Sequence, residues 1–491
     1  MEKFINRTAD IVLGAFTALF LWVTANGLLA YDAVSYFYHP VLIALGIAAY
    51  IPLILILRRY MIPRFAGIRA LPPVLLVLFA CISIAVGVIL RVNPSWDMGE
   101  VFSIAKALAN GQVVETYYLY YFPNNLMVTL IYTIVFKLAL LFGAADFVLV
   151  ATVFNALVVA GTAVFLYLTA RALYGKELSL LLLVITLFTT PLYLQAAIYY
   201  TDSLSMFFVS AMLYFAIGAA RAGKRGVSVA FQILFGGVTF VAFETKITSF
   251  ILIIALFLYA VYRGFTRKDV RKFALAALTF VLLFAVFTVA KKQVLDKELL
   301  DRYQYPPEHW VMMGLNGVGG FSIEDCAYTS SFPTYRERQE AAREMIRTRL
   351  GWYDGNDFLK HLTAKLKFAF TDGAYFAPEK LRREPVREGI LHEFVLTEGK
   401  YNAAYKYFPQ VMHFGMLIFM IYSAYTMAKN GKKKGIEAAF VLAVFGIALF
   451  LLLWENRSRY ILTMLPVMML LQLSGVEAFA RRRKERKQNH A

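Results

Sequence analysis

The chain alternates long apolar runs with short polar breaks that are rich in Lys and Arg. A bilayer core takes about 20 apolar residues per helix. Thirteen runs approach that length: 9–31, 40–57, 71–90, 123–142, 147–170, 178–193, 203–220, 227–243, 247–262, 273–290, 409–428, 436–454 and 460–478. The pattern predicts an all-α polytopic membrane protein. One polar stretch is different. Residues 291–408 are long enough for a separate extracytoplasmic domain of roughly 100 residues. Turn signals at Tyr305-Pro306-Pro307, Gly317-Val318-Gly319-Gly320 and Tyr353-Asp354-Gly355 alternate there with an amphipathic run at 336–350. A mixed, mainly helical content is expected. No sustained repeat and no low-complexity tract is present.

Composition agrees. Hydrophobic residues make up 60% and charged residues 17%, against about 25% charged in soluble domains. A disordered chain, a disulfide scaffold and an ordinary soluble enzyme are excluded. Cys81 lies in an apolar run and Cys326 in the long polar stretch, so no disulfide framework is expected. Residues 9–31 are too long for the core of a signal peptide and read as a retained first span.

The net charge of +18 would suggest nucleic-acid binding in a soluble protein. In a membrane protein it follows from the excess of Lys and Arg in cytoplasmic loops. Lys3, Arg7, Arg58, Arg59, Arg64 and Arg69 set the first loops inside. If 123–142 crossed the membrane, every later cluster would fall outside: Arg171/Lys176, Arg221/Lys224/Arg225, Arg263–Lys272, Lys432–Lys434 and Arg481–Lys484. The rule is restored if 123–142, which opens on Pro123-Asn124-Asn125 and carries Lys137, lies along the outer interface. The alternative is that two other short segments are wrongly divided. About twelve transmembrane helices, an external juxtamembrane helix and both termini in the cytoplasm of a plasma-membrane protein are expected. Residues 1–70 then form two added N-terminal helices and 71–290 a transmembrane core with first external loop 91–146. Residues 291–408 form the external domain, 409–480 the last helices and 481–491 a basic tail.

The external pieces carry the candidate chemistry. Asp97 and Glu100 follow the third span in Trp96-Asp97-Met98-Gly99-Glu100. Their spacing suits a helix cap, or Asp97 is a general base at the membrane boundary. Asp202 opens the span at 203, as an N-cap or a site acid. Glu244 and Lys246 share a hairpin tip, where a surface ion pair of little energetic value is the bland reading. Tyr117-Tyr118-Leu119-Tyr120-Tyr121-Phe122 is an interfacial aromatic belt, or a stacking surface for sugar rings or an entry for a lipid chain. Arg457, Arg459 and Lys246 are basic residues on the wrong side. Either Glu455 and Glu244 pair with them or they bind an anion, for which the planar arginine fork suits phosphate.

Taken in order, these segments resemble the GT-C superfamily of membrane glycosyltransferases, nearest the bacterial aminoarabinose transferases and protein O-mannosyltransferases. Trp96-Asp97-Met98-Gly99-Glu100 running to Asn110-Gly111 resembles the family's first external loop, which carries a catalytic carboxylate. Tyr121-Phe122-Pro123-Asn124-Asn125 is similar to its Tyr-Pro-Pro segment, with Asn124 in place of the second Pro. Ala170-Arg171-Ala172-Leu173-Tyr174-Gly175 resembles its basic turn. Asp202 sits where its second external loop often carries an acid. Arg457-Ser458-Arg459-Tyr460-Ile461-Leu462 with Pro466 is similar to its late Arg-Tyr segment. The likeness covers roughly 71–290 and 436–478, and the carboxylates stand three apart where family members often have adjacent ones.

The resemblance implies an inverting transfer from a polyprenyl-phosphate-linked sugar to an acceptor hydroxyl on the outer face. Asp97 would be the base. Lys246, Arg457 and Arg459, with Tyr460, would face the phosphate, and Tyr120 and Tyr121 the sugar or lipid. Glu100, Asp202 and Glu244 would orient acceptor or base, or hold a divalent cation, although no compact metal motif is present and no cofactor is otherwise implied. The acceptor would be a cell-envelope polymer, a glycolipid or a protein; membrane lipids are partners and nucleic acid is not. A transporter or flippase, or a polymerase of lipid-linked cell-surface glycans, is the alternative. A transporter would show repeats and mid-membrane ionisable residues, whereas the notable charges here cluster at the outer ends of spans.

Overall fold

The computed structural model describes residues 2–29, 38–264, 267–430 and 434–488. The break at 32–39 between the first two apolar runs falls largely outside these residues, as do Lys432, Lys433 and the last three residues of the tail. Among the described residues helix is the regular structure throughout, apart from an isolated antiparallel bridge between Val92 and Pro385. Among the described residues ten helices are long and apolar enough to cross a membrane, and two shorter apolar ones are Ile247–Tyr262 and Glu437–Leu453.

The longest helical run, Phe147–Phe188, is two helices. Gly175 within it has φ 83°, in the left-handed region that glycine tolerates. Asn155 Nδ2 donates to the carbonyls of Gln195 (2.7 Å) and Ala196 (3.0 Å). A straight helix would hold residues forty apart at about 60 Å. The chain therefore reverses at Gly175, midway between those partners, as the two apolar runs at 147–170 and 178–193 predict.

Helix packing is close where glycine permits it. At Gly475 a Cβ would overlap the carbonyl of Phe419, so the helices Tyr407–Lys429 and Leu465–Gln488 press backbone to side-chain-free face. The Ser458–Arg482 segment is the most enclosed of the spans and Phe273–Val294 the least.

Charged residues separate to two ends of the bundle. At one end Arg58 joins Glu177 (2.7 Å) and Glu477 (3.1 Å), Lys434 pairs with Asp10 (2.7 Å) and the Arg221 guanidinium donates to the Ala172 carbonyl. At the other lie Asp97, Asp202, Lys246, Lys380 and Arg459. The Leu126–Leu141 helix has both ends at this second end. It starts at Asn125, hydrogen-bonded to Tyr200. It finishes near Asp146, 3.8 Å from Arg91.

The 291–408 stretch is helical in short pieces, from Lys297–Tyr303 to Asn402–Tyr405. Its amphipathic run is the Tyr335–Gly351 helix, opened by a Thr334–Glu337 capping box. The turn signals are helix boundaries. Pro307 begins one helix, and Asp354 caps the Gly355–Phe370 helix by accepting from the Asp357 amide at 2.8 Å.

Candidate functional site

The Trp96–Ala109 helix begins after an extended Ser95, and Trp96 itself has φ 48°. A bulky residue held there signals local strain. Asp97 does not cap this helix. Its Oδ1 accepts from the Tyr118 hydroxyl at 3.1 Å. Asn125 Nδ2 in turn donates to Tyr118 (2.6 Å) and Tyr200 (3.0 Å). Burial pushes the Tyr118 phenol well above its ordinary value, so it stays protonated and donates. Asp97 is half-buried, and Glu100, on the same helix, is exposed.

Asp202 lies in the first turn of the Thr201–Arg221 helix without capping it. Lys246 Nζ reaches its Oδ1 at 2.5 Å and Arg459 reaches its Oδ2 at 3.0 Å. The carboxylate is 2% exposed, so a buried acid is matched by two cations. The Arg459 guanidinium also lies 5.1 Å from the centres of the Trp96 and Tyr460 rings and 5.8 Å from Tyr200.

The turn that carries Arg457 and Arg459 is held by the 291–408 region. Lys365 Nζ donates to the carbonyls of Gly314 (2.6 Å) and Trp454 (3.0 Å). The Asn456 amide donates to the Gly319 carbonyl at 2.7 Å, and its side chain to the Lys365 carbonyl. Ser458 donates to Asp372 Oδ2 at 2.6 Å. Asp372 also accepts from the amides of Ala374 and Phe376, fixing a loop in which Tyr375 and Phe376 have φ of 52° and 61°. Four non-glycine residues have positive φ among the described residues: Trp96, Tyr375, Phe376 and Glu384. All lie around this site, which is where strain is expected if it serves function.

The same loop brings Lys380, which is 8% exposed. Its Nζ lies 3.4 Å from the centre of the Trp96 ring. The loop is tied to the Asp97 segment by the Val92–Pro385 bridge, with Asn93 N to Glu384 O at 2.8 Å and Val386 N to Arg91 O at 3.0 Å. Burial first, then the charges of Arg459 and Arg383, lower the Lys380 ammonium to about 6, against the pull of Asp97 and Asp202. Arg457 stacks on Phe376 at 4.7 Å and has no carboxylate in salt-bridge contact among the described residues. Glu455 is buried and accepts from Tyr460 at 2.7 Å, and burial raises its carboxyl. Six separate segments thus place two carboxylates, four basic side chains and a neutral phenol at one end of the bundle.

The sequence matches the family model of a conserved hypothetical integral membrane protein over residues 11–478. The chain belongs to that family. No curated protein matches it in sequence. Among solved structures it is similar to the Archaeoglobus fulgidus oligosaccharyltransferase in complex with Zn and sulfate, at 15% identity and TM-score 0.43 over 82% of this chain and 49% of that one. The Archaeoglobus fulgidus AglB complex with an inhibitory peptide and a dolichol-phosphate gives 16%, 0.42, 84% and 51%. ArnT from Cupriavidus metallidurans bound to undecaprenyl phosphate gives 13%, 0.38, 83% and 78%. The chain spans about half the length of the archaeal protein.

Of the residues singled out in the sequence of this family member, Asp97, Asp202, Lys246, Arg457, Arg459 and Tyr460 come together. Glu244 does not join them, nor does it pair with Lys246; its charged neighbour is Lys291. Residues two apart on a helix end do not face one another. Glu455 likewise serves Tyr460 rather than Arg457 or Arg459 in direct contact. Tyr121 packs on Tyr303 (5.1 Å) and Tyr305 (5.7 Å), and Tyr120 on Tyr117 (6.3 Å), which itself stacks on Tyr303 (4.7 Å). The aromatic run is thereby joined to the 291–408 region. A divalent cation does not fit the donors. Both Asp202 oxygens are taken by Lys246 and Arg459, Glu100 lies apart on the surface, and no three His, Cys, Asp or Glu converge among the described residues. Tyr118, Asn125 and Lys380 escaped the sequence reading. Tyr118 lay inside the aromatic run and Lys380 among ordinary loop charges.

Proposed function

We propose that the protein transfers a sugar from a polyprenyl-phosphate-linked donor to an acceptor hydroxyl, at the extracytoplasmic end of the bundle, with inversion at the anomeric carbon. The observation that carries this reading is the juxtaposition of Asp97 with the Arg459–Trp96–Lys380 stack: a base and anion-binding groups in one site, on motifs similar to the GT-C family. Asp97 takes the proton of the acceptor hydroxyl as its oxygen attacks the anomeric carbon. The bond from that carbon to the phosphate oxygen breaks, and the electron pair leaves on the phosphate. Arg459, and Arg457 stacked on Phe376, face the charge that develops there. Lys246 acts through Asp202, holding Arg459 in place. Tyr118, kept neutral, orients the Asp97 carboxylate. No step is assigned to Glu100, Glu244 or a metal. The acceptor belongs to the cell envelope as polymer, glycolipid or protein, and residues 291–408 shape its access.

The test is incubation of the purified protein with a panel of polyprenyl-phosphate sugars and detection of released polyprenyl phosphate. The wild-type protein releases it from at least one donor. Asp97→Asn, folded and membrane-inserted, loses about 10²–10⁴-fold in turnover, the range for a general base. Full activity in that variant removes Asp97 from the role. No release from any donor removes the reading.

A further inference from the structure

Lys380 is the one residue of the site that is buried, basic and uncommitted. Among the described residues its side chain makes no ion pair and no hydrogen bond, only its approach to the rings of Trp96 (3.4 Å) and Phe376 (5.8 Å). Two more donors beside it are buried without an acceptor, Trp96 Nε1 and Arg459 Nε. Buried donors in native proteins are nearly always satisfied. Two buried donors without an acceptor and an unpaired lysine amine over the same indole describe a place that an anion, and not a further cation, completes.

The charges facing Lys380 come from each neighbouring element: Arg459 from the late turn, Arg383 from its own loop, Asp97 from the Trp96–Ala109 helix and Asp202 from the Thr201–Arg221 helix. The Thr190–Gln195 helix, on which the Ala377–Leu381 helix packs, adds neither carboxylate nor cation. Asp202 is already matched by Lys246 and Arg459. Lys380 therefore stands in a buried, net positive surrounding that disfavours a further positive charge. An anion seated among the three donors reverses that balance.

We infer that Lys380 contacts the phosphate of the bound donor and takes up a proton as it does so, making donor binding proton-linked. This rests on the reading of the site as one for a lipid-linked phosphate. Its sign follows from linkage. The free amine is held low, to about 6, and a bound phosphate diester raises it. Between those two values binding carries one proton, and affinity falls as pH rises, by up to about tenfold per pH unit. Below the free value Lys380 is already charged and the slope vanishes.

The experiment measures binding of farnesyl methyl phosphate to the full-length protein in non-ionic detergent from pH 5.5 to 8.5. This probe is a phosphodiester whose single charge does not titrate in that range. The wild-type protein binds it more weakly as pH rises above about 6, with a slope approaching tenfold per unit. Lys380→Arg, which keeps its charge at every pH, gives a flat profile and binds more tightly than wild type at pH 8. Lys380→Met gives a flat profile and weak binding throughout. Dimethyl phosphate, which has the charge without the chain, separates phosphate recognition from lipid recognition. The same slope with weaker binding assigns the slope to the phosphate alone. A flat wild-type profile, or a wild-type slope that survives in Lys380→Arg, overturns the inference. No binding of the lipid probe by the folded protein at any pH instead overturns the donor reading itself, so the two failures differ.

Discussion

At the scale of residues, the site is governed by how buried charges are matched. Asp202 is almost wholly enclosed and takes one cation on each oxygen. Removing one partner of such a group leaves the others uncompensated and costs about 3–5 kcal/mol. Asp202→Asn keeps the shape but leaves Lys246 and Arg459 both without a counter-charge. It should lower the thermal unfolding midpoint in detergent markedly, where Lys246→Met should cost less because Arg459 still answers Asp202. An unchanged midpoint in Asp202→Asn contradicts this account. Several of these residues were legible in the sequence because they break a rule. Lys246, Arg457 and Arg459 are basic where loops should not be, and Asp97 and Asp202 stand at the mouths of spans. Their pairing was not legible. Lys246 and Asp202 are 44 positions apart and Arg459 and Asp202 are 257 apart, while adjacency pointed to Glu244 and Glu455. Lys380 carried no signal because its neighbours Glu379, Arg382 and Arg383 make it look like any solvated loop residue.

At the scale of elements, the 454–459 turn depends on the 291–408 region as a clamp. Gly314 shows how tightly it fits. A Cβ there would lie 2.7 Å from the Leu453 carbonyl and 2.8 Å from that of Trp454, and backbone cannot yield as a side-chain tip can. Gly314→Ala should push the 454–459 turn away from Lys365 and move Arg457 and Arg459 with it. A displacement of about 1 Å at such a site costs up to about 10²-fold. The loss is expected in kcat/KM for the lipid-linked donor. Gly351→Ala, at a position with open space around it, is the control and should leave activity unchanged. Equal activity in Gly314→Ala would show that the clamp does not set the turn. Helices within this region followed from local patterns, since the 336–350 amphipathic run and the Pro307 and Asp354 boundaries are readable over a few residues. The bridge that ties 384–386 to 91–93 is a contact between segments nearly three hundred positions apart, and no local pattern encodes it.

At the scale of the whole molecule, the charge of +18 becomes a statement about orientation. Arg58, Arg221 and Lys434 gather at the end opposite Asp97, as the rule for basic loops requires if that end faces the cytoplasm. The Leu126–Leu141 helix is where this reading is most exposed to test. Its 16 residues extend about 24 Å at the usual rise, and with the Pro123–Asn125 turn the segment is one of the ten long and apolar enough to cross, so its contacts rather than its length bear on the question. Its start meets Tyr200 at the Asp97 end, and five residues past its finish Asp146 meets Arg91 at that same end. A helix that crossed would have to separate those partners by the thickness of the bilayer. In a background with Cys81 and Cys326 replaced by Ser, Ala145→Cys places a thiol at an exposed position just beyond the left-handed Gly143. Lys224→Cys places one at the exposed turn between two spans at the opposite end. A membrane-impermeant maleimide should label Ala145→Cys in intact cells and Lys224→Cys only after permeabilisation. If the segment crosses instead, the two patterns exchange, because every helix after it is inverted; the basic loops would then face outward, and Asp202 and Arg459 would lie across the bilayer from Asp97 and Trp96, which precede the segment and with which the structure holds them in contact.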